Sequence, residues 1–474
     1  MQISRLASSW ALLSTALATP LASSPIELET DVVIIGGGSA GIHAAISLKD
    51  AGARVLVVER KCQIGGHAET YTNPETHTPA NVGVVLFENT EIVSNYFARL
   101  GVPTAKSDPL APQPGAVTKS YDFSVGVAIP EQNASSADQE AAFQAAGISF
   151  VNNVLAKYLW IDDGFLVPDP VPEELTIPFG ELAAKYNFTA LLPIAAQFNW
   201  FTGGIASIPA LYGIKSLGPG LLQSLQTEFI VSGTGDTRAL YDAAAKELGD
   251  SILLEATVVN VNRNDTAGVS LTVTQPGQPP KYIRGKKLLI AAPPTIENVG
   301  TYDLCETERS LFSQFSSLGY LAGVVTVPGL NNTLQNVGLQ TPFNQPVIPG
   351  TNGIYTAGSP GDFLFGVAFQ DTNYTDEDGK NIIRKNLETL AAVGAVPKDA
   401  AETVTFPYVS NHAPYNVRVS ADQIKQGFYG KLLALEGQRN TYWAGAAFSG
   451  HNSGLVWTFN NGTVLPALKK DLGL

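Results

Sequence analysis

The sequence predicts an α/β protein: a Rossmann-type domain with a mostly parallel sheet, discontinuous along the chain and interrupted by α+β insertions. Three observations predict it. Following Asp31, Val32-Val33-Ile34-Ile35 is an unbroken apolar run of the kind carried by a parallel strand buried on both faces. It stops at Gly36-Gly37-Gly38-Ser39-Ala40-Gly41, a G-x-G-x-x-G spacing, after which Ile42 to Ala51 reads as an Ala- and Leu-containing helix. A second apolar run, Arg54 to Val58, then ends in Glu59, completing strand, loop, helix, strand and acid in the order that one βαβ unit needs.

Each part of that unit has a task in holding a dinucleotide. Gly36 permits the tight turn, Gly38 lets the backbone approach a pyrophosphate, and Gly41 allows the helix to pack closely on the strand. Ser39 opens the helix, whose unpaired N–H groups carry partial positive charge toward the phosphates. Glu59 can accept hydrogen bonds from ribose hydroxyls and would repel a 2′-phosphate, which favours FAD or NAD over NADP. Just beyond comes Gln63-Ile64-Gly65-Gly66-His67-Ala68-Glu69-Thr70-Tyr71. An NAD site has no need of this second glycine pair. Gly65 and Gly66 suit a chain that passes so near a bound cofactor that a Cβ would collide. Arg60 or Lys61 can balance phosphate charge.

The stretch from Glu59 to His67 with Thr70-Tyr71, the block Asn81 to Phe87, Asn95-Tyr96-Phe97 and the C-terminal block Asn440 to Trp457 together resemble the flavin-containing amine-oxidase superfamily. Within it the chain is similar to the fungal beta-cyclopiazonate dehydrogenase family, FAD-dependent oxidoreductases of secondary metabolism. The resemblance covers most of the chain and implies FAD as cofactor. It implies that the backbone at Val258 grips the adenine, and that the strand Lys287 to Pro294 returns the chain to the cofactor. It also implies that the closing motif, Ala446 and Trp457 included, covers the ribityl chain and the ring edge. His67 stands where many amine oxidases carry an arginine, and is expected to touch the cofactor. His412 is the first candidate for a covalent bond to the flavin 8α carbon and His67 the second, while His412 and His451 are candidate catalytic bases. One departure matters: no lysine occurs between Lys287 and Lys380, where amine oxidases hold one near flavin N5. The flavin carries over from the family; the substrate class does not.

This reading divides the chain into a signal peptide at 1–18, an FAD-binding domain from 27–100, 225–300 and 404–474, and a substrate domain from 101–224 and 301–403. Tyr158, Trp160, Phe198, Trp200, Phe201, Tyr212, Tyr320 and Phe365 are candidates to line a hydrophobic cavity over the flavin. The first residues support export: Arg5 precedes a mostly apolar run and Ala16-Leu17-Ala18 fits a cleavage site. Sequons at Asn133, Asn187, Asn264, Asn331, Asn373 and Asn461 agree with it. Past that leader no apolar run is long enough to span a bilayer. Charged residues make up only 15% and the formal net charge is -13, without a basic cluster, so the composition excludes a nucleic-acid footprint. Cys62 and Cys305 are the only cysteines, and either pair with each other or remain free thiols. No cluster of metal ligands stands out. The activity expected is dehydrogenation, with or without cyclisation, of a hydrophobic small molecule by hydride transfer to FAD, with dioxygen as the final acceptor. A double-bond isomerase without net oxidation and a secreted amine oxidase are the alternatives.

Overall fold

The structure, a computed structural model, describes residues 26–109, 117–130, 137–199, 203–264 and 266–474. The leader at 1–18, the Asn133 sequon, Trp200 and Phe201 lie outside the described residues.

The apolar runs form the centre of a seven-stranded sheet. Ile26–Ile35 pairs in parallel with Val55–Val58 on one side and Lys281–Ile290 on the other; Ile252–Leu253 extends the first edge. Val32, Val33 and Ile34 are fully buried, as an apolar run without alternation requires of a strand covered on both faces. The far edge of Lys281–Ile290 is shared. Its first half carries the antiparallel strands Gly268–Thr274 and Thr257–Asn264, and its last three residues pair in parallel with Thr441–Trp443. The register sets Val58, Ile35, Ile290 and Trp443 side by side. Strand ends of an open parallel sheet are where nucleotides bind, and here the chain continues into Glu59, Gly36, Ala291 and Ala444.

A second sheet has eight strands, in the order Thr405–Asn411, Ser316–Thr326, Asp362–Phe369, Gly350–Thr356, Thr333–Asn336, Thr118–Asp122 and Val127–Ile129, with Tyr415–Arg418 also on Ser316–Thr326. The helix Asp376–Ala392 covers one face, with Thr375 and Asp378 forming a capping box at its start. Ile383, Leu387 and Leu390, spaced along one helical face, are fully buried against Leu321, Val325, Phe363 and Phe365. Each contributes roughly 1.5–3 kcal/mol by leaving water. The strands Thr405–Asn411 and Tyr415–Arg418, which the sequence reading assigned to the cofactor domain, belong to this second sheet. Their register is dictated by Ser316–Thr326, so the cofactor domain resumes only after them.

The insertion between the sheets is helical. Ala137–Asn153 is a single long helix, and it is followed by the shorter helices Phe179–Lys185 and Leu192–Phe198, separated by Asn187, whose φ is 54°. The hairpin Ala68–Thr72 with Pro79–Gly83 joins the two sheets. Its Ala80 and Val82 pack on Tyr320, Ala322 and Val324 of the second sheet while its first strand issues directly from Gly65-Gly66-His67. Among the described residues no helix is long and apolar enough to cross a membrane.

Candidate cofactor and active site

The phosphate loop has the geometry its glycines foretell. Gly36 has φ of 105° and a Cβ there would stand 2.9 Å from the Ala292 nitrogen, and a Cβ on Gly41 would collide with the Gly36 carbonyl. Helix Ser39–Asp50 starts at Gly38 with no side chain capping it and no acid in its first turn. Its leading N–H groups are therefore donors in need of an anion. Glu59 is 8% exposed; one carboxylate oxygen accepts from the Gly37 N–H at 2.7 Å and the other from the Lys61 N–H at 2.7 Å. Each oxygen keeps a second lone pair for a ribose hydroxyl.

The second glycine pair packs against the first loop. Gly65 donates its N–H to the Gly37 carbonyl at 2.8 Å, and a Cβ on Gly66 would lie 3.0 Å from the Gly38 Cα. Gly65 and Gly66 have φ of 120° and 62°, which L side chains adopt only under strain. Two glycine-lined strips of backbone thus face each other where a pyrophosphate would approach. Arg60 is exposed and, with Cys62, Glu255, Thr257 and Gln275, lines an open recess of about 700 Å³ beside the ribose acid. Lys61 is turned elsewhere: its ammonium contacts Glu69 at 2.7 Å. Val258 pairs with Val273 just before a bulge between Val258 and Asn260, which frees backbone groups from the ladder. Just before it, the Ala256 N–H bonds to the Glu59 carbonyl at 2.9 Å, so this strand end is tied to the acid.

The closing motif reaches the same place from the C-terminus. After Trp443 the chain turns at Gly445, φ 103°, beside Ala291, and Ala446 opens a short helix to Ser449. Ser453 lies 3.2 Å from Ser39, hydroxyl to hydroxyl. Trp457 is fully buried and donates its indole N–H to the Ser39 carbonyl at 3.3 Å while packing on His43, Phe87 and Tyr96. It clamps the phosphate helix rather than facing the strand ends. The Gly454 and Leu455 N–H groups both point to the Asn452 side-chain oxygen, so this helix end is capped from within.

Three of the five histidines meet at the joint between the sheets. His67 and His412 stack at 4.3 Å with their planes 10° apart, and His451 lies 5.5 Å from His67. Tyr415 meets His451 edge-on at 4.0 Å and stacks on Tyr320 at 4.7 Å. Gly83 makes the stack possible, because a Cβ there would stand 2.7 Å from the His412 ring and collide with the His67 carbonyl. His412 is 1% exposed and turns Nε2 to Glu69 at 3.4 Å, whereas His67, His451 and Tyr415 keep accessible surface. Burial drives all three imidazoles toward the neutral form, His451 to about 4. Burial would raise the Glu69 carboxyl, but hydrogen bonds from His412, Lys61 and Ser410 outweigh it and hold it at about 2. The result is a fixed anion behind a wall of neutral rings. Among the described residues no group of three His, Cys, Asp or Glu has metal-holding geometry.

Of the aromatic residues named from sequence, Tyr320 joins this cluster. Phe365 is in the core of the second sheet, Tyr212 bonds to the Val419 carbonyl at 3.0 Å, and Phe198 stacks on Phe229. Cys62 is exposed and Cys305 half-buried, both free. Sequence reasoning passed over Glu69, Gly83 and Tyr415 as site residues. Glu69 stands two places after His67 in the quoted motif, and only the strand Ala68–Thr72 turns it inward.

The residues fit a flavin dinucleotide: an uncapped helix end, two facing glycine strips, a ribose acid and a closing segment converge on four aligned strand ends. A sequence model described as FAD dependent oxidoreductase matches residues 31–149. An FAD-dependent oxidoreductase of Colletotrichum higginsianum, dpchF, is 57% identical with all of both chains covered. The beta-cyclopiazonate dehydrogenase of Aspergillus oryzae is 32% identical over 92% of each. Among solved structures, a CLA-producing fatty acid isomerase from P. acnes superposes with a TM-score of 0.72 at 19% identity, over 92% of this chain and 98% of that one. A putrescine oxidase variant gives 0.63 at 16% identity, over 94% and 100%, so the fold is that of the amine oxidases. With 57% identity along its whole length to one such enzyme, and the glycines and acid of the nucleotide cradle in place, the chain belongs to the FAD-dependent oxidoreductases.

Proposed function

We propose that the protein dehydrogenates a hydrophobic small molecule of secondary metabolism, with or without ring closure. FAD, when bound, takes up the hydride at N5. The observation that carries the reading is the neutral, partly accessible His67–His451–Tyr415 wall at the joint between the cofactor sheet and the second sheet. A neutral imidazole accepts a proton, so His451 or His67 takes the one that leaves a substrate N–H, O–H or C–H as the hydride departs. His412, behind His67 and anchored by Glu69, positions that ring. Dioxygen is the proposed acceptor that reoxidises the cofactor.

Covalent attachment of the flavin through His412 or His67 belongs to the same proposal. The buried His412 nitrogen facing Glu69 favours His67 as the one with a free approach. Acid precipitation tests it: flavin colour released wholly into the supernatant refutes a covalent bond. Export is proposed from the leader and from the exposed sequons at Asn187, Asn331, Asn373 and Asn461. Amino-terminal sequencing and a glycosidase mobility shift check it.

The likeness to a fatty acid isomerase favours a second reading, double-bond migration without net oxidation. Anaerobic incubation with candidate substrates separates the two. A dehydrogenase bleaches its flavin and stops after one equivalent; an isomerase turns over without oxygen.

A further inference from the structure

Lys215 is a buried amine that the proposed chemistry does not use. It closes the helix Ala210–Lys215, is 8% exposed, and donates its ammonium to the Ile161 carbonyl while lying 5.0 Å over the Phe165 ring. Its stem packs on Gly450: with φ of 125°, a Cβ there would stand 2.8 Å from Lys215 Cδ. Two carboxylates share the region. Asp162 accepts the Gly220 N–H at 2.9 Å through one oxygen and buries the other without a partner. Glu88 is 7% exposed; its carboxyl abuts Gly220 and lies 3.6 Å from where a Cβ on Gly454 would stand, beside the helix start that Asn452 caps by accepting the Gly454 N–H at 2.7 Å. Burial pulls the Lys215 ammonium down to about 8 and pushes the Glu88 carboxyl up to about 8, so neither group is held here by its own solvation.

These groups come from three separate stretches: Glu88 from the end of the first glycine-rich region, Asp162 and Lys215 from the helical insertion, and Gly450 and Asn452 from the closing motif. The Phe165 N–H bonds to the Phe448 carbonyl at 2.8 Å, fastening the insertion to the closing motif one step further on. Between Gly450, which Lys215 props, and Asn452, whose cap on Gly454 Glu88 backs, lies His451.

We propose that Lys215 and Glu88 are positioning residues that fix the Gly450–Asn452 turn, and with it His451, so that the helical insertion sets the closing edge of the flavin site. Lys215 holds one side of the turn by packing its stem on Gly450, with its ammonium anchored on the Ile161 carbonyl, and Glu88 holds the other by packing its carboxyl against Gly454, the residue that Asn452 caps. This rests on the reading that the flavin lies against the closing motif. A buried charged group that only filled space would be replaceable by an apolar one of its length.

Titration of the apo full-length chain with FAD, followed by flavin fluorescence, tests the proposal, alongside histidine NMR of the same samples. Lys215→Met and Glu88→Leu each replace a polar end by an apolar one of similar length, and each is expected to weaken FAD binding about tenfold and to move the His451 ring signals; the double variant is expected to be no weaker than the worse single one, because both disable one unit, and Glu88→Gln, which keeps the shape and the neutral form, to bind as wild type does. Affinity within about twofold of wild type or unmoved His451 signals in Glu88→Leu overturns the proposal, as do strictly additive losses. The two single variants act on opposite sides of the turn, so the test survives either one failing to fold. A wild type that takes no FAD defeats the functional reading alone, since the His451 signals report the turn without cofactor.

Discussion

Gly66 and Gly38 meet backbone to backbone: a methyl group on Gly66 would stand 3.0 Å from the Gly38 Cα, whereas one on Gly38 would find Gly66 at an ordinary 3.7 Å. The asymmetry predicts different defects. Gly66→Ala strains a residue at φ 62° and displaces the loop, so the apo protein is expected to lose about 1–3 kcal/mol of stability. Gly38→Ala is expected to fold normally and to lose FAD, because its methyl group points into the space between the strips. Thermal melts of the apo forms and flavin content after purification check both.

His451 must be neutral to take a proton, and burial holds its pKa at about 4. Activity carried by it is therefore expected to persist into mild acid and fall only as pH drops through about 4. His451→Ala is expected to lower kcat by about 10²-fold or more and to remove that acid limb from the kcat/KM profile. A pH–rate series on both forms reads the difference.

Glu69 has a folded pKa below its unfolded one, so its stabilising contribution is present above pH 4.5 and is lost as pH falls toward about 2. Glu69→Gln is expected to cost about 1–3 kcal/mol at neutral pH, leaving Lys61 and His412 without their anion, and progressively less as acid protonates the wild-type carboxylate. Denaturant melts of the two proteins at neutral pH and at pH about 3 are the measurement.

Glu436 behaves in the opposite sense. Burial pushes its carboxyl up to about 8; one oxygen accepts the Trp443 N–H at 3.1 Å and the other is buried without a partner. The neutral acid favours the fold below pH 4.5, and that advantage disappears as pH rises through about 8. Glu436→Gln is neutral throughout, so it is expected to gain on the wild type with rising pH, by about 1–3 kcal/mol in mild alkali. Melting temperatures across the range show whether it does.

The cofactor sheet was legible because its signals are local. An unbroken apolar strand, three glycines at fixed offsets and a terminal acid are neighbours in the chain, and each has one physical use. The role of Gly65 and Gly66 was half legible: a backbone approach was foreseen, but not that the first thing approached is the phosphate loop itself. The histidine cluster was hidden, since His67 precedes both His412 and His451 by more than 300 residues and only the hairpin Ala68–Thr72 with Pro79–Gly83 brings the two sheets together there. The boundary at 404 failed for a related reason. Thr405–Asn411 has nothing in its own composition to say which sheet it joins; that is decided by the free edge of Ser316–Thr326.

The shared edge of Lys281–Ile290 has a consequence for how the protein is made. Its partner Thr441–Trp443 and the clamp at Trp457 leave the ribosome only after every strand of the second sheet. The nucleotide cradle therefore cannot close during synthesis of its own glycine loop, and stays open until the second sheet has already been translated. Flavin loading thus follows translation of the second sheet, and a nascent chain stalled before residue 441 would carry the binding motif without the ability to retain the cofactor.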